Sequence, residues 1–156
     1  MARARRIFDE TVAVSVPVLL DHEKVRADQR YGETDTDIWI SKSTDQGETW
    51  SAPLRVNDDV PGKQQFLTWM AIDQTTGYLY VVFYDRRHHD DTHTDVYLAY
   101  SIDGGETFTN YRLTDDPFEM LEGPFFGDYN NIAAHDGKIY PVWTQMDNLK
   151  TSVWTS

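Results

Sequence analysis

The residues in this chain that are best suited to chemistry stand beside two apolar runs. Asp85 and Arg86 follow one run, and Asp128 and Tyr129 precede another. A carboxylate can exchange a proton and a guanidinium can hold an anion, so these four residues form the candidate catalytic set. The alternative is structural, because an Asp–Arg pair at a strand end often forms an ion pair and a tyrosine often packs in the core with a solvated hydroxyl. The sequence does not decide between a catalytic and a structural role for these four residues.

One polar loop contains the highest density of side chains that can bind a metal ion. It lies between two predicted strands and contains the candidate ligands His88, His89, Asp91 and His93. Their spacing matches no zinc motif and a loop offers no helix to align paired histidines, so a solvated polar loop is the alternative. Asp58-Asp59 and Asp115-Asp116 recur at turns where oxygen ligands could hold calcium, but without EF-hand spacing. The sequence therefore predicts no cofactor. Binding of Ca²⁺ is possible, but no motif supports it.

Charge and composition narrow the class of partner. Lys and Arg number 14 against 26 Asp and Glu, which gives a net charge of −12. This argues against nucleic acid, because phosphate contacts need a basic surface, and it permits cations, neutral sugars or simple solubility. Cysteine is absent, which removes disulfides, thiolate metal sites and a cysteine nucleophile. No apolar run approaches the roughly 18–20 residues that a membrane span needs.

The N-terminal segment has some features of a signal peptide. Met1–Arg6 is basic and Val12–Leu20 is apolar, but two acidic residues separate them. His22 and Glu23 follow where small residues should mark a cleavage site. We therefore expect Val12–Leu20 to form a buried strand rather than part of a leader.

An internal repeat organises the chain. Asp37–Trp50 aligns with Asp95–Phe108, and Gly77–Phe83 aligns with Gly137–Trp143. The segments are short, rich in aromatic and β-branched residues, and bounded by turn formers, as in β-strands. A period of about 58 to 60 residues made of such strands is typical of a propeller blade rather than of a helical solenoid.

The repeat predicts an all-β chain of about two and a half to three four-stranded blades, at about 10–58, 64–116 and, incompletely, 124–156. The predicted strands are Val12–Leu20, Ile38–Ser43, Trp50–Val56, Phe66–Asp73, Tyr78–Tyr84, Val96–Ser101, Phe108–Thr114, Tyr129–Ala134, Lys138–Thr144 and Ser152–Ser156. Tyr78–Tyr84 and Lys138–Thr144 are continuously apolar, which predicts burial on both faces. Propellers close with roughly four to eight blades. The chain is therefore a fragment, a part of a ring completed by association of copies, or an open stack of sheets.

A motif of the form Ser-x-Asp-x-Gly-x-Thr-aromatic occupies one turn in each repeat. Its two copies consist of Ser43, Asp45, Gly47, Thr49 and Trp50, and of Ser101, Asp103, Gly105, Thr107 and Phe108. The aspartate can accept hydrogen bonds from the turn's own N–H groups, glycine permits a positive φ, and the hydroxyls can bond back to the loop. The aromatic residue is expected to pack under the turn. This arrangement is structural and requires no ligand.

These two copies resemble Asp boxes, the repeats of the sialidase-like (BNR) β-propeller family. Asp37–Ser43, Val82–Arg87 and Phe126–Asn130 are also similar to phrases in secreted bacterial members, so the resemblance covers about Asp37–Thr144. It implies an Asp-box propeller, a secreted or cell-surface location, and a glycan or surface glycoprotein as partner. The family includes sialidases, other glycosidases, lectin-like modules and proteins without known activity, so the fold alone does not give the function.

The resemblance implies a test for sialidase activity. Active members clamp the substrate carboxylate with three arginines, one of them in a Phe/Tyr-Arg-Ile-Pro phrase, because planar guanidinium forks fit a carboxylate. They also use a tyrosine nucleophile with a glutamate base, and an aspartate as acid/base. This chain lacks the phrase, and Arg6-Ile7-Phe8 is its nearest match. Arg55 and Arg112 follow the boxes, which lie away from the central face, so both are poor clamp candidates.

Two functions follow as expectations. The first is a sialidase-like domain related to exo-α-sialidases and other glycoside hydrolases, inactive as an isolated chain. The second is a non-catalytic propeller module that binds glycans or proteins. Aromatic residues at or near strands could stack on sugar rings or pack between blades, namely Trp39, Trp69, Tyr97, Trp143 and Trp154. Copies of the chain could also associate to complete the ring.

Overall fold

A computed structural model describes residues 11–15, 19–21, 24–26, 35–120, 126–127 and 129–156. These residues form thirteen β-strands and no helix. The strands make four antiparallel sheets, and none of the sheets closes on itself. The all-β fold predicted from the strand patterns is therefore confirmed. No helix that could cross a bilayer occurs in the described part of the chain.

Three of the sheets follow one another along the sequence. The strands are β1 (Thr11–Ser15), β2 (Leu19–Asp21), β3 (Lys24–Arg26), β4 (Trp39–Ser43), β5 (Leu54–Arg55), β6 (Gln65–Ile72), β7 (Leu79–Asp85), β8 (His93–Ser101), β9 (Thr109–Arg112), β10 (Phe118–Glu119), β11 (Asn131–His135), β12 (Lys138–Asp147) and β13 (Lys150–Thr155). The first sheet has the order β1-β4-β5, the middle sheet contains β6 to β10, and the last has the order β11-β12-β13. Strands β2 and β3 form a separate hairpin.

The middle sheet is an antiparallel meander. Strand β7 pairs with β6 on one side and β8 on the other, and β8 continues to β9. Strand β10 joins the same edge of β8 at its beginning, where Phe118 pairs with Thr94. The four predicted strands of the central repeat therefore occur in the predicted order, and β10 lies beyond the predicted limit at residue 116.

Strand β7 is the centre of the molecule because both of its faces are covered. Its alternate residues Leu79, Val81 and Phe83 pack with a cluster that includes Ile38 and Ile40 of the first-sheet region. The intervening residues pack with a second cluster that reaches the last sheet through Ile132, Trp143 and Met146. All seven residues of β7 are buried. The predicted burial of Tyr78–Tyr84 on both faces is confirmed for Leu79–Tyr84.

The same prediction is wrong for Lys138–Thr144. One side of β12 contributes Trp143 to the second cluster. On the other side, Tyr140 is 55% exposed and Val142 is 37% exposed. No described element covers that side, so the apolar run is half solvated.

The first sheet also departs from expectation. The predicted strand Val12–Leu20 is divided, because β1 pairs with β4 while β2 begins at Leu19 and pairs with β3. Residues 16–18 and the segment 1–10, on which the signal-peptide interpretation depends, lie outside the described residues.

Two hydrogen-bonded contacts position the last sheet against the middle one. The Asp73 carboxylate, before β7, accepts hydrogen bonds from the backbone N–H groups of Asp136 (3.2 Å) and Gly137 (2.7 Å) in the β11–β12 turn. The hydroxyl of Tyr84 bonds to the backbone of Thr144 in β12. These contacts join the middle and last sheets just before β7 and near its end.

Candidate functional site

The two Asp-box turns have nearly the same hydrogen bonds. In the first copy, Ser43 Oγ donates to Asp45 Oδ1 (2.7 Å) and accepts from Gly47 N (2.8 Å). In the second copy the corresponding distances, from Ser101 to Asp103 and from Gly105, are also 2.7 Å and 2.8 Å. Each box threonine donates its backbone N–H and its hydroxyl to the aspartate. The boxes are self-contained turns, as their sequence predicts.

These hydrogen bonds favour the ionised aspartates. Donation from Thr49 and Ser43 lowers the pKa of Asp45 to about 2. Donation from Thr107 and Ser101 lowers the pKa of Asp103 further below its usual range. A carboxyl group with so low a pKa is a poor proton donor near neutral pH. Neither aspartate is suited to act as a catalytic acid.

The aromatic residues that end the two boxes have different surroundings. Phe108 is half-buried against the cluster around Phe83, as expected of a residue that packs under a turn. Trp50 is 46% exposed, so the same expectation fails for the first copy.

Asp85 lies at the end of β7 with no exposed surface. It accepts hydrogen bonds from the backbone N–H of Arg87 (2.7 Å), from Arg87 Nε (2.9 Å) and from Gln65 Nε2 (3.2 Å). Burial raises the pKa of Asp85, while the Arg87 guanidinium opposes that rise. The ion-pair partner of Asp85 is therefore Arg87, and the carboxylate is closed to a substrate.

The Arg87 guanidinium contacts several other side chains. Its guanidinium lies 4.0 Å from the centre of the Tyr97 ring and donates to Asp58 Oδ1 (2.5 Å) as well as to Asp85. The hydrogen bonds and charge of Asp85 raise the pKa of Arg87 although burial opposes it. Sequence reasoning missed this residue as the partner of Asp85. The signal was available, because Arg87 is two positions from Asp85 in the same strand-end loop.

Arg55 and Arg112 form equivalent ion pairs with buried carboxylates in the two repeats. Arg55 Nε lies 2.6 Å from Asp37 Oδ1, and Arg112 Nε lies 2.9 Å from Asp95 Oδ1. Arg55 pairs with Trp39 at the start of β4, so it lies at the strand end opposite the box, and Arg112 lies likewise. Their inferred place near the boxes is wrong. They remain poor clamp candidates for another reason, which is that buried carboxylates already hold them.

Arg86 differs from these arginines because its hydrogen-bond partners among the described residues are neutral. Its Nε donates to Thr94 Oγ1 (3.1 Å) and its Nη1 donates to Gln64 Oε1 (2.6 Å). The guanidinium also lies 5.1 Å from the centre of the Phe66 ring. Burial lowers its pKa, although it stays a cation at any working pH. Arg86 borders a shallow pocket of about 190 Å³ that His89 also lines.

The histidine loop does not assemble a metal site. His88 Nε2 lies 3.1 Å from the Tyr97 hydroxyl, and His89 Nε2 lies 2.9 Å from Asp95 Oδ2. His93 Nδ1 lies 2.9 Å from Asp91 Oδ1. Within the described residues, no group of three or more His, Asp or Glu side chains is placed to hold a metal ion. The candidate ligands thus bond to separate partners.

Tyr129 is 76% exposed, so it is not the core aromatic of the structural alternative. No hydrogen bond among the described residues joins it to Asp85 or Arg86. Asp128, the fourth candidate of the catalytic set, lies outside the described residues. The described members of that set therefore form no catalytic constellation.

A groove of about 680 Å³ lies between β10 and the β12–β13 hairpin. An adjoining pocket of about 330 Å³ shares Asp116, Gln145 and Trp154 with it. We refer to the two together as the Trp154 groove. The Trp154 ring is 50% exposed, and its Nε1 donates to Ser152 Oγ (2.7 Å), which fixes the orientation of the indole. Sequence reasoning named Trp154 as one aromatic among five, but the opposing residues of the groove come from a distant segment.

Comparison with known proteins gives no identification. No protein-family model matches the chain, and no curated protein matches it. The likeness to the sialidase-like family is therefore still a prediction, based on the motifs quoted above.

Proposed function

We propose that this chain is part of an Asp-box propeller and acts as a non-catalytic glycan-recognition module. The observation that carries the proposal is an exposed, oriented indole in a groove edged by carboxylate and amide groups, in a chain whose Arg55, Arg87 and Arg112 are held by buried carboxylates. Aromatic faces pack against the C–H groups of sugar rings, and carboxylates and amides bind hydroxyls. Hydrolysis of a sialoside would need free arginines instead.

The propeller part of the proposal is supported by the stacking of repeat-equivalent faces. Tyr80 and Val82 of β7 are buried under the last sheet. Their repeat equivalents in β12 are Tyr140 and Val142, which present the same kind of face to solvent. A stack in which each sheet repeats the contact surface of the one before it is the arrangement of propeller blades. A secreted or cell-surface location accompanies this proposal by resemblance alone.

The arginines that are already paired with buried carboxylates support glycan binding rather than glycan hydrolysis as the function. A carboxylate clamp needs guanidinium groups that are free to accept two oxygens of the substrate. Releasing Arg87 or Arg55 to a substrate would leave Asp85 or Asp37 as a buried, unpaired charge, which is strongly unfavourable. Among the arginines whose side chains the structure describes, only Arg86 has hydrogen-bond partners that are all neutral, and a single arginine is not a clamp.

A glycan array together with a turnover assay tests the proposal. We expect the purified chain to bind immobilised glycans and to release no fluorophore from a 4-methylumbelliferyl sialoside. The absence of binding across the array would contradict the proposal. Turnover that is abolished in both Arg86→Met and Tyr129→Phe would also contradict it, because it would show a hydrolase site at the candidate catalytic residues. Trp154→Ala should weaken the binding, and Trp69→Ala, which removes an exposed indole of β6 outside the groove, is the control for loss of a surface tryptophan.

A further inference from the structure

The Trp154 groove carries an unusual set of charges. Its described lining contains four carboxylate side chains and neither lysine nor arginine; the acidic residues are Asp115, Asp116, Glu119 and Asp147. Glu119 accepts one hydrogen bond from Thr92, and Asp147 accepts one from Asn148. Because a carboxylate has about four acceptor sites, both keep capacity for further donors. The groove thus offers many acceptors beside one oriented aromatic face.

A buried donor beside the same groove lacks a partner. Trp143 is 4% exposed and lines the pocket that adjoins Trp154. Its indole Nε1 has no hydrogen-bond partner among the described residues. An unpaired buried N–H is costly, and because this atom has almost no accessible surface, a ligand oxygen relieves that cost only when the pocket wall opens around it. This observation is independent of the acidic side chains, and it points to an acceptor-bearing ligand.

The required ligand has hydroxyl donors, at least one acceptor oxygen, an apolar ring face and no negative charge. Hydroxyl groups would donate to the carboxylates, and a ring or hydroxyl oxygen would accept from Trp143. The C–H face would pack on Trp154. An anionic sugar would instead face four carboxylates with no cation in the described lining, and like charges at close range disfavour binding. The net charge of −12 acts in the same direction.

We propose that the Trp154 groove binds neutral oligosaccharides and discriminates against sialylated ones. This inference rests on the proposed function and goes further, because it names the site and the substrate class. It also places recognition at the β10 and β12–β13 side of the chain rather than near Asp85 and Arg86.

The test titrates the ¹⁵N-labelled chain with chitotriose, cellotriose, maltotriose, lactose and 3′-sialyllactose. The last two share a core and differ by one sialic acid. The chain has five tryptophans, so five indole N–H signals are expected, and Trp154→Phe and Trp143→Phe assign two of them. We expect at least one neutral sugar to shift the Trp154 signal, and lactose to bind several-fold more tightly than 3′-sialyllactose.

Two sets of variants separate a binding role from a structural one. Trp154→Ala should weaken binding by about tenfold or more, as for a central aromatic contact, while Trp69→Ala stays within about twofold. The double substitution Asp116→Asn and Glu119→Gln should reduce the preference for lactose over 3′-sialyllactose. A change in that ratio would not follow from a simple loss of folding. Addition of EDTA should leave binding unchanged.

The outcomes distinguish this inference from the proposed function. Glycan binding that is indifferent to Trp154→Ala, tighter for the sialylated sugar, or lost in EDTA would overturn the inference and leave a recognition module with another site. The absence of binding to any glycan in the array or the panel would overturn the proposed function itself.

Discussion

Tyr84 and Thr144 occupy equivalent positions of the repeat and are joined by two hydrogen bonds. The Tyr84 hydroxyl donates to the Thr144 carbonyl oxygen (2.9 Å) and accepts from the Thr144 backbone N–H (3.0 Å). Tyr84 has no exposed surface, and its ring also contacts Phe66, Phe118 and Phe126. One side chain of the middle sheet thereby bonds to both backbone polar groups of a residue in the last sheet.

Replacing Tyr84 by phenylalanine should destabilise the protein by about 2 kcal/mol, because it leaves the backbone N–H and C=O of the half-buried Thr144 without partners. Burial raises the pKa of Tyr84 to about 12 from its usual value of 10.0. In the unfolded chain this tyrosine ionises at a lower pH than in the folded protein. The stability that its neutral hydroxyl contributes is therefore complete below pH 10 and is lost as the pH rises through about 12. The free energy of unfolding, measured in urea, should decline between about pH 8 and about pH 11, and the decline should be smaller in the Tyr84→Phe variant.

Tyr140→Phe is the matched control for that series, because its ring is largely exposed and its hydroxyl makes no hydrogen bond among the described residues. The control should change neither the free energy of unfolding nor its alkaline decline. Equal effects of the two substitutions would contradict the role assigned to the Tyr84 hydroxyl.

The sequence predicts the elements better than it predicts their partners. Leu79–Tyr84 could be assigned because a long run of β-branched and aromatic residues has few stable places other than a buried strand. Lys138–Thr144 has the same pattern, yet β12 leaves Tyr140 exposed. A hydrophobic pattern reports what a strand can bury and does not say whether a neighbour covers it.

The candidate sites show the same limit for polar residues. The hydrogen bonds among the Ser, Asp, Gly and Thr residues of the boxes could be predicted because each of them spans four residues or fewer. The Arg55–Asp37 pair spans 18 residues and the Trp154 groove joins β10 to β13, so neither follows from local spacing. The repeat did contain one indication of the two ion pairs, because Asp37 and Arg55 recur as Asp95 and Arg112.

Removing the partner of Asp85 should be costly. Arg87→Met leaves a fully buried carboxylate without its cation, and we expect a loss of about 3 kcal/mol in the free energy of unfolding. Adding Asp85→Asn to that variant should recover part of the loss, because the unpaired charge is then absent. Chemical denaturation of the two single variants and the double variant gives the coupling energy directly.

Arg86→Met is the control for this cycle, because it removes an adjacent arginine whose hydrogen bonds go to the neutral side chains of Thr94 and Gln64. Its cost should be nearer to about 1 kcal/mol. If Arg86→Met proved as costly as Arg87→Met, or if the cycle showed no coupling, the assignment of Arg87 as the essential partner would be wrong.

The Asp boxes should make the protein sensitive to acid. The pKa values of Asp45 and Asp103 lie below the usual value of 3.8, so their stabilising contribution is present above about pH 4. It is lost as the pH falls toward about 2, because the folded state must then take up protons against its hydrogen bonds. The variant with Asp45→Asn and Asp103→Asn should melt a few degrees lower at neutral pH and depend less on pH in this range.

Glu48→Gln serves as the control for the acid series, since it removes an exposed carboxylate from the first box loop. Thermal melts recorded by circular dichroism at several acidic pH values provide the comparison. A variant with both aspartates replaced that retains the full acid dependence of the parent chain would contradict the assignment.

The exposed side of β12 should cause self-association. Tyr140 and Val142 repeat the face that Tyr80 and Val82 bury in the middle sheet, and an apolar sheet face of this kind favours contact with a second copy. Light scattering on the purified chain should show a discrete dimer or trimer that dissociates on dilution. Tyr140→Glu combined with Val142→Lys should give a monomer, whereas Ile102→Glu, at an exposed apolar position in the second box loop, should leave the assembly unchanged. A chain that stays monomeric at every concentration would show that ring completion by association is wrong.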